Sequence, residues 1–422
     1  MNTSTADGTI VIGAGIVGIC CGLSLLEKGE AVTIIDRDAP GQGASYGNAG
    51  VISPWSNVPQ SLPGVWKSIP KWLLDPEGPV AVRPGYLLKA MPWAIRFLRA
   101  GAPERITAIS DAMSVLTRPS VDLYRHHLRG TGHEDLVKDS WYLHVYRRAE
   151  EASLGDAAGR LRERQDTPIE IISGQQLREI EPALSPEYEA AIVIRDQARA
   201  ITPGRIGEVL TEKLRSMGGK VLRGTVHRLR PQGESRAGGE SWVAETDLGE
   251  LTAPRVVLAA GAWSARLLEP LGVRLPLEAE RGYHLVFKNP GVALNNSVME
   301  VEGKFVTSSM DTGIRSAGTA EFAGLDAPPD YRRARIFKRL TKRMLPDINT
   351  DEVEEWMGVR PSFPDSLPCI GEMPGLPGLF AAFGHSHYGL MMAPATGRVV
   401  ADLVTTAPPN VDLAPYRADR FA

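Results

Sequence analysis

Residues 9–36 are TIVIGAGIVGICCGLSLLEKGEAVTIID, and this stretch decides the fold. An apolar run typical of a β-strand leads into a glycine turn, a helical pattern follows, and a second apolar run ends at Asp36. In such a βαβ unit Gly13 permits the tight turn, Gly15 lets backbone amides approach a pyrophosphate, and Gly18 allows close helix–strand packing. Asp36 can accept a hydrogen bond from a ribose hydroxyl. The spacing predicts a dinucleotide site, but by itself it does not separate NAD from FAD.

The composition of the chain argues against several classes of protein, including nucleic-acid-binding and disulfide-rich proteins. The 422 residues include 47 Lys plus Arg and 50 Asp plus Glu, a formal net charge of -3, so no nucleic acid partner is expected. The three cysteines, Cys20, Cys21 and Cys369, show no C-x-x-C spacing, which predicts neither disulfides nor a metal site and fits a reducing, cytoplasmic setting. Residues 1–8 lack the basic start of a signal peptide, and glycines interrupt the apolar run that follows. Neither a signal peptide nor a transmembrane helix is expected.

Signals of the α/β type stand at both ends of the chain, with other material between them. Strand-like runs occur at 191–194, 255–258 and 379–383, while helical periodicity dominates 87–164 around a strand-like run at 141–146. This arrangement implies a discontinuous cofactor domain with a second domain inserted into it.

Four further segments carry a family resemblance. They are ASYGNAGVIS at 44–53, AAGAWS at 259–264, RPSFPDSLPCIG at 360–371 and GHSHYGLMMAPATG at 384–397. Together with the glycine fingerprint they resemble the D-amino-acid oxidase superfamily of FAD-dependent oxidoreductases, and within it the D-amino-acid dehydrogenase small-subunit group most closely. The last segment, the closing motif, is also similar to that of glycine oxidases.

The resemblance implies an α/β architecture: a glutathione-reductase-like Rossmann FAD-binding domain with an inserted substrate domain built on a mixed or antiparallel sheet. The expected FAD-binding domain comprises residues 1–85, 190–275 and 345–422, and the expected substrate domain comprises residues 86–189 and 276–344. The flavin is expected to lie between them. Cys369 follows Asp365, whereas sarcosine oxidase-like enzymes that attach FAD through cysteine carry it before the equivalent position. The FAD is therefore expected to be non-covalent.

The expected FAD contacts come from the fingerprint, the loop after Asp36, the strand end near residue 260 and the closing motif. Small residues in that loop impose the least steric barrier to a close backbone approach. Within the closing motif, His385 is expected to tie its loop to the backbone. Besides Gly13, Gly15, Gly18 and Asp36, the expected contacts are Ile16, Val17, Arg37, Ala44, Ser45, Asn48, Ala49, Gly50, Val51, Val226, Ala260, Gly261, Trp263, Gly384, His385, Gly389, Leu390 and Met391.

Oxidising an amino acid at its α-carbon requires a cation that holds the substrate carboxylate, because a misplaced hydride donor lowers the rate by orders of magnitude. By resemblance to glycine oxidase-like sequences, Arg360 is this clamp, through a bidentate guanidinium–carboxylate pair. The alternative is that Arg360 only pairs with Asp365 or Glu355. His387 and Tyr388 lie in the variable part of the closing motif, and either could bond the amine or the carboxylate.

Two predicted strands and one loop add further candidates. Tyr283 and His284 should point to opposite faces of their strand, and Tyr283 is favoured for the pocket. Arg315 either reaches the pocket or is a ladder or surface arginine. Tyr46 and Asn48 are candidates beside the flavin, with the alternative that Asn48 only holds its own turn. No catalytic base is assigned.

The expected reaction is FAD-dependent dehydrogenation of a D-amino acid or related amino acid, by hydride transfer from Cα to flavin N5, which gives an imino acid. D-Hydroxyproline, D-proline and N-alkyl glycines such as sarcosine are alternative substrates. Alternatives of another class are an NAD-dependent dehydrogenase and a flavin-binding, non-catalytic subunit of a multi-chain complex. The electron acceptor is either oxygen or a membrane quinone.

Several aromatic residues stand in the irregular passage before residue 100. They either cap the pocket or form a surface for a membrane or a partner subunit. The expected location is accordingly cytoplasmic, or peripheral at the inner membrane. These residues are Trp55, Trp66, Trp72, Trp93 and Phe97.

Overall fold

The computed structural model describes residues 3–5, 8–234 and 240–421, so residues 1, 2, 6 and 7 of the polar N-terminal segment lie outside the described part. The strands are β1 (Thr3–Thr5), β2 (Thr9–Ile12), β3 (Val32–Asp36), β4 (Val51–Ile52), β5 (Val80–Val82), β6 (Val137–Tyr146), β7 (Ile169–Ser173), β8 (Ala190–Ala200), β9 (Lys220–Arg223), β10 (Val226–Glu234), β11 (Glu240–Thr246), β12 (Gly249–Ala253), β13 (Arg255–Leu258), β14 (Glu278–Phe287), β15 (Ser297–Glu300), β16 (Phe305–Met310), β17 (Gly313–Ala317), β18 (Ala320–Phe322), β19 (Val353–Ser362), β20 (Cys369–Glu372) and β21 (Leu379–Phe383). The α-helices are α1 (Ile16–Glu27), α2 (Ile69–Leu74), α3 (Leu87–Ala100), α4 (Pro103–Thr117), α5 (Ser120–Leu128), α6 (Ala157–Arg164), α7 (Gly174–Ile180), α8 (Pro203–Ser216), α9 (Ser264–Leu268), α10 (Arg332–Met344) and α11 (Gly389–Val404).

A six-stranded sheet carries the glycine fingerprint. Its order is β20-β21-β13-β2-β3-β9, and its pairs are parallel except for the edge strand β20. The apolar runs of β2 and β13 are buried, as expected for parallel strands covered on both faces. Helix α1 packs against α11, and a Cβ added at Gly397 would lie 2.5 Å from the Cys20 carbonyl oxygen. The two helix backbones therefore approach closely.

An eleven-stranded sheet forms the second layer. Its main path is β4-β8-β6-β15-β16-β17-β14-β18-β5, with β19 paired to β14 and β7 to β8. Most pairs are antiparallel, while β6–β15 and β5–β18 are parallel. Phe287, Ile314 and Phe337 lie in the core between this sheet and α10. A smaller four-stranded sheet, β1-β12-β11-β10, is tied to the rest by the Trp242 indole, which donates to the Pro377 carbonyl at 2.9 Å.

The predicted fold class is confirmed, and the βαβ unit begins and ends within about one residue of its predicted bounds. The predicted domain division stays a prediction. Strands β8 and β19, placed by sequence in the FAD-binding part, belong to the eleven-stranded sheet. Helices α4 and α5, placed in the substrate part, pack against α11. Helical periodicity alone does not indicate which layer a helix covers.

Among the described helices, none combines the length and the apolar composition that a membrane crossing requires.

Candidate active site

A cavity of about 1380 Å³ runs from the glycine turn of the six-stranded sheet to the face of the eleven-stranded sheet. This volume exceeds the roughly 300–1,000 Å³ of ordinary small-molecule pockets. There is room for a dinucleotide and a further small molecule together.

The three fingerprint glycines have different physical roles. Gly13 has a φ of +111°, and a Cβ there would lie 2.4 Å from the Ala259 carbonyl oxygen. A Cβ on Gly18 would lie 1.9 Å from the Gly13 carbonyl oxygen, so this position serves helix–strand packing and does not line the cavity. At Gly15 a Cβ would meet only the Ser45 hydroxyl, at 3.4 Å, and would otherwise project into the cavity. Gly15 is thus the position where a side chain would displace a ligand.

The start of α1 is held by two polar side chains. The Ser45 hydroxyl accepts a hydrogen bond from the Ile16 amide at 2.9 Å. The Asp36 carboxylate accepts from the Ala14 amide at 2.6 Å and lines the cavity, and burial raises its pKa. Beside it, the Arg37 guanidinium lies over the Trp263 ring, 4.0 Å from its centroid. The acidic residue predicted to meet a ribose also fixes the glycine turn.

Most of the residues predicted to contact the cofactor line this one cavity. The exceptions are Gly18 and Gly50. Gly50 has a φ of +82° and faces the Ala200 carbonyl, so it serves a turn. The lining residues are Gly13, Gly15, Ile16, Val17, Asp36, Arg37, Ala44, Ser45, Asn48, Ala49, Val51, Val226, Ala260, Gly261, Trp263, Gly384, His385, Gly389, Leu390 and Met391.

Arg360 lies on the cavity wall in an ion pair that was not anticipated. Its Nη1 donates to the buried Glu280 carboxylate at 2.8 Å and to the Thr319 carbonyl at 3.1 Å, and its Nη2 donates to the Gly318 carbonyl at 3.2 Å. Its side chain is 20% exposed. The alternative partners are wrong, because Asp365 pairs with Arg420 and Glu355 with Arg335. Three N–H groups hold the guanidinium in place, and the others remain for a ligand.

Glu280 joins Arg360 to the closing motif. The same carboxylate bonds to the His387 ring and accepts from the Ser362 hydroxyl at 2.8 Å. Burial alone would raise the pKa of Glu280, but His387, Arg360 and Ser362 lower it to about 2. The carboxylate is therefore ionised and balances the charge of the arginine.

The other closing-motif side chains are fixed more locally. The Tyr388 hydroxyl donates to the Val58 carbonyl at 2.9 Å, and its ring borders the cavity. His385 bonds to the Thr396 hydroxyl at 2.9 Å rather than to the backbone as predicted, and burial lowers its pKa to about 3. His385 is thus a neutral ring that ties the loop to α11.

Tyr283 and His284 are neighbours in β14 and point to opposite faces of the strand, as predicted. Tyr283 borders the cavity, but its side chain lies on the strand face opposite to Glu280 and bonds to Glu321 at 2.6 Å. The side chain of His284 lies on the same face of β14 as Glu280, where its ring stacks on Trp356 with ring centroids 4.7 Å apart. Tyr283 lines the cavity and His284 is not among the lining residues, which agrees with the preference for Tyr283.

Arg315 is a support for the loop before β4 and is not a cavity residue. It is 3% exposed and donates from Nη1 to the carbonyls of Tyr46 and Asn48, each at 2.8 Å. Asn48 accepts from the Gly50 amide at 2.8 Å, so it holds its own turn while lining the cavity. Of the predicted alternatives, the ladder arginine applies, because Arg315 pairs with Val286 and Ser308 in the sheet, and the surface arginine is wrong, because the side chain is buried.

The comparisons with known proteins agree with this arrangement. The family model described as FAD dependent oxidoreductase (DAO) matches residues 9–403. The chain belongs to this family. It is 36% identical to a D-amino-acid oxidase of Bradyrhizobium diazoefficiens over 97% of this chain and 98% of that protein, and 32% identical to a D-amino acid dehydrogenase of Paramagnetospirillum magneticum over 98% of each. The fold is similar to that of L-proline dehydrogenase from P. horikoshii, with a TM-score of 0.75, 21% identity and coverage of 99% and 98% of the two chains.

Membership in the DAO family makes the protein an FAD-dependent oxidoreductase and excludes the NAD-dependent alternative. The residues present fit FAD. The open side of Gly15 leaves space at the N-terminus of α1, where backbone amides favour an anionic pyrophosphate. Farther along the cavity, the Thr319 and Ser386 hydroxyls are buried and have no hydrogen-bond partner among the described residues.

Sequence reasoning missed three side chains of this DAO-family site: Glu280, Arg162 and Tyr142. A usable signal existed for Tyr142, because it alternates with His144 and Tyr146 in a run already predicted as a strand. Glu280 and Arg162 offered none, since their proximity to the closing motif depends on long-range pairing.

The aromatic residues before position 100 divide into two groups. Trp55, Trp72, Trp93 and Phe97 line the cavity, while Trp66 is 60% exposed.

Proposed function

We propose that this DAO-family protein oxidises a D-amino acid at its α-carbon to the corresponding imino acid. The observation that carries the proposal is Arg360, a guanidinium fixed on the cavity wall by Glu280 with N–H groups left for a carboxylate. The D-configuration is supported by relatives named D-amino-acid oxidase and D-amino acid dehydrogenase, each matched over nearly its whole length.

In this reaction the Cα–H bond breaks with its electron pair, the nitrogen loses one proton, and a C=N bond forms. When bound, FAD supplies the two-electron acceptor for the hydride. Arg360 binds the carboxylate and thereby fixes the direction of the Cα–H bond. His387, oriented by Glu280, bonds the amine or the carboxylate, and the fixed ring of Tyr388 bounds the space beside it.

We also propose that FAD is held without a covalent bond to cysteine. Cys20 and Cys21 lie in α1 and Cys369 in β20, and all three are buried away from the cavity lining. Burial raises the pKa of Cys21 and of Cys369 to about 12, so these thiols are poor nucleophiles at neutral pH.

For the electron acceptor, we propose a membrane quinone reached from an anionic bilayer. Helix α3 borders the cavity, and its solvent-exposed face carries apolar side chains interspersed with basic ones. This pattern is typical of helices that lie on anionic membranes. The exposed apolar residues are Leu87, Leu88, Met91, Ile95 and Leu98, and the basic ones are Lys89, Arg96 and Arg99. Flotation with anionic but not neutral vesicles, abolished by Leu88→Asp, is the expected result. Absence of flotation would favour oxygen as acceptor.

The reaction is tested by anaerobic mixing of the purified, FAD-loaded protein with D- and L-amino acids, prolines and N-methyl glycines, while the absorbance of the oxidised flavin is followed. Bleaching by D-amino acids but not by their L-enantiomers is expected. Bleaching by prolines or N-methyl glycines alone would overturn the proposed substrate class. A flavin that no substrate bleaches would instead indicate a non-catalytic subunit.

Arg360→Ala tests the clamp. Loss of a charge-assisted pair, worth about 1.5–3 kcal/mol, should raise KM by about 10- to 150-fold while FAD stays bound. Arg360→Lys keeps a charged partner for Glu280 and guards against a folding defect. Arg335→Ala is the control, because this arginine is 66% exposed and paired with Glu355 outside the cavity. An unchanged KM in Arg360→Ala would eliminate the clamp.

A further inference from the structure

A second polar region lies in the cavity, formed by β6 and α6. Along β6, Leu143 and Val145 point into the core, while Tyr142, His144 and Tyr146 line the cavity. The alternation places three polar aromatic side chains in a row on one wall. None of them was given a role in the proposed reaction.

Arg162, on α6, lines the same region. Within the described residues its guanidinium makes no ion pair and no hydrogen bond, and its Nε is buried without a partner. Burial lowers its pKa from 12.5, but the group remains a cation at neutral pH. Arg162 and Tyr388 each influence the other's pKa, so Arg162 lies near the closing motif.

This arginine differs from Arg360 in its charge balance. Arg360 is neutralised by Glu280 even without substrate. Arg162 is half-buried and has no such carboxylate, and partial loss of water around an unpaired charge is costly unless a ligand compensates it. Its geometry therefore points to an anion supplied from outside the protein.

The surrounding charges leave this region positive. Lys304 and Asp156 also line the cavity, and Asp156 caps α6 by accepting from the Gly159 amide at 2.7 Å. No ion pair joins Asp156 to Arg162 or Lys304 in the described part of the chain. Burial lowers the pKa of His144 well below its usual value, so this ring is neutral. Glu300 and Glu151 also act on this region, but they are paired with Arg147 and Arg148. Two cations and one carboxylate without such a partner remain among the described residues.

Tyr142 and Tyr146 supply hydrogen-bond donors to this region. Burial raises the pKa of both Tyr142 and Tyr146, so their phenols stay protonated. The Tyr142 ring packs edge-on against His144, with centroids 4.8 Å apart, which fixes its direction. A planar guanidinium beside protonated hydroxyls matches the acceptors of a carboxylate.

We propose that Arg162, with the hydroxyls of Tyr142 and Tyr146, forms a second carboxylate subsite that binds the side chain of an acidic D-amino acid. Arg360 then binds the α-carboxylate at the other end of the substrate. The inference rests on the proposed function and refines it, since it names D-glutamate and D-aspartate as preferred over their amides.

The test compares acids with isosteric amides. Rates of anaerobic flavin reduction are measured at low substrate for D-glutamate against D-glutamine and D-aspartate against D-asparagine. The native protein should prefer the acids by about 10- to 100-fold. Arg162→Met should bring the ratio close to one, and Arg162→Lys should keep part of it. Arg164→Met is the matched control, because Arg164 lies on the same helix, is 56% exposed and pairs with Asp111.

Two results would overturn the subsite. The first is that the native protein reduces its flavin equally fast with acids and amides. The second is that Arg162→Met slows flavin reduction by acids and by amides to the same extent, which would assign Arg162 to the α-carboxylate. Calorimetric titration of the FAD-loaded protein with glutarate and butyrate separates this inference from the proposed function. Tighter binding of glutarate that disappears in Arg162→Met supports the subsite even if no D-amino acid reduces the flavin. Equal binding of the two acids refutes it whatever the reaction.

Discussion

Glu280→Gln should destabilise the protein by about 3 kcal/mol at neutral pH. The shape of the side chain is kept, but the charge that holds Arg360 and His387 is removed. The pKa of Glu280 falls from 4.5 to about 2, and this difference corresponds to about 3 kcal/mol in favour of the ionised form in the folded state. The free energy of unfolding is measured with guanidinium chloride in the presence of excess FAD.

Glu278→Gln is the control, two residues away on the same strand. Glu278 is also buried and accepts from the Tyr86 hydroxyl at 2.8 Å, but burial raises its pKa, so its ionised form is not favoured. Its replacement should change the free energy of unfolding by less than about 1 kcal/mol. Equal losses in the two variants, or no loss in Glu280→Gln, would show that the Glu280 charge is not what holds the Arg360 cluster.

Two further predictions follow from the cavity and from the buried histidines. Gly15→Val should fold, as judged by circular dichroism, but lose FAD, because its side chain projects into the cavity; full flavin absorbance in the purified variant would contradict the cofactor assignment. Burial lowers the pKa of both His284 and His385 to about 3, so below pH 6.5 these rings take up protons only after unfolding. As the pH is lowered below 6.5, each ring should therefore reduce the free energy of unfolding by about 1.4 kcal/mol per pH unit. In His385→Gln about one proton fewer should be taken up on unfolding between pH 6.5 and 5, so the free energy of unfolding should depend less steeply on pH. An unchanged dependence would show that His385 is not held neutral.

What the sequence predicted well is local. The first strand, glycine turn and helix depend on residues within 28 positions of one another, and steric limits on Gly13 and Gly18 leave few other conformations. The closing motif was placed correctly at the cavity because the family resemblance carried long-range information that spacing alone does not contain.

What the sequence did not predict depends on strand register. Glu280 meets Arg360 because β14 and β19 pair antiparallel with these two residues opposite each other. A shift of one residue would turn Glu280 to the other face of the sheet and separate its carboxylate from Arg360. Alternation within a strand was available from sequence, but the pairing register that sets Glu280 opposite Arg360 was not.

The two arginines of the cavity show why residue type alone does not assign a role. Arg360 is compensated by Glu280 before any ligand arrives, so its carboxylate site can be fixed in advance without leaving an unbalanced charge. Arg162 is uncompensated, so it gains more from an arriving anion and loses more when a neutral side chain takes that place. Binding at Arg360 should therefore be common to all amino acid substrates, whereas discrimination among them should come from Arg162.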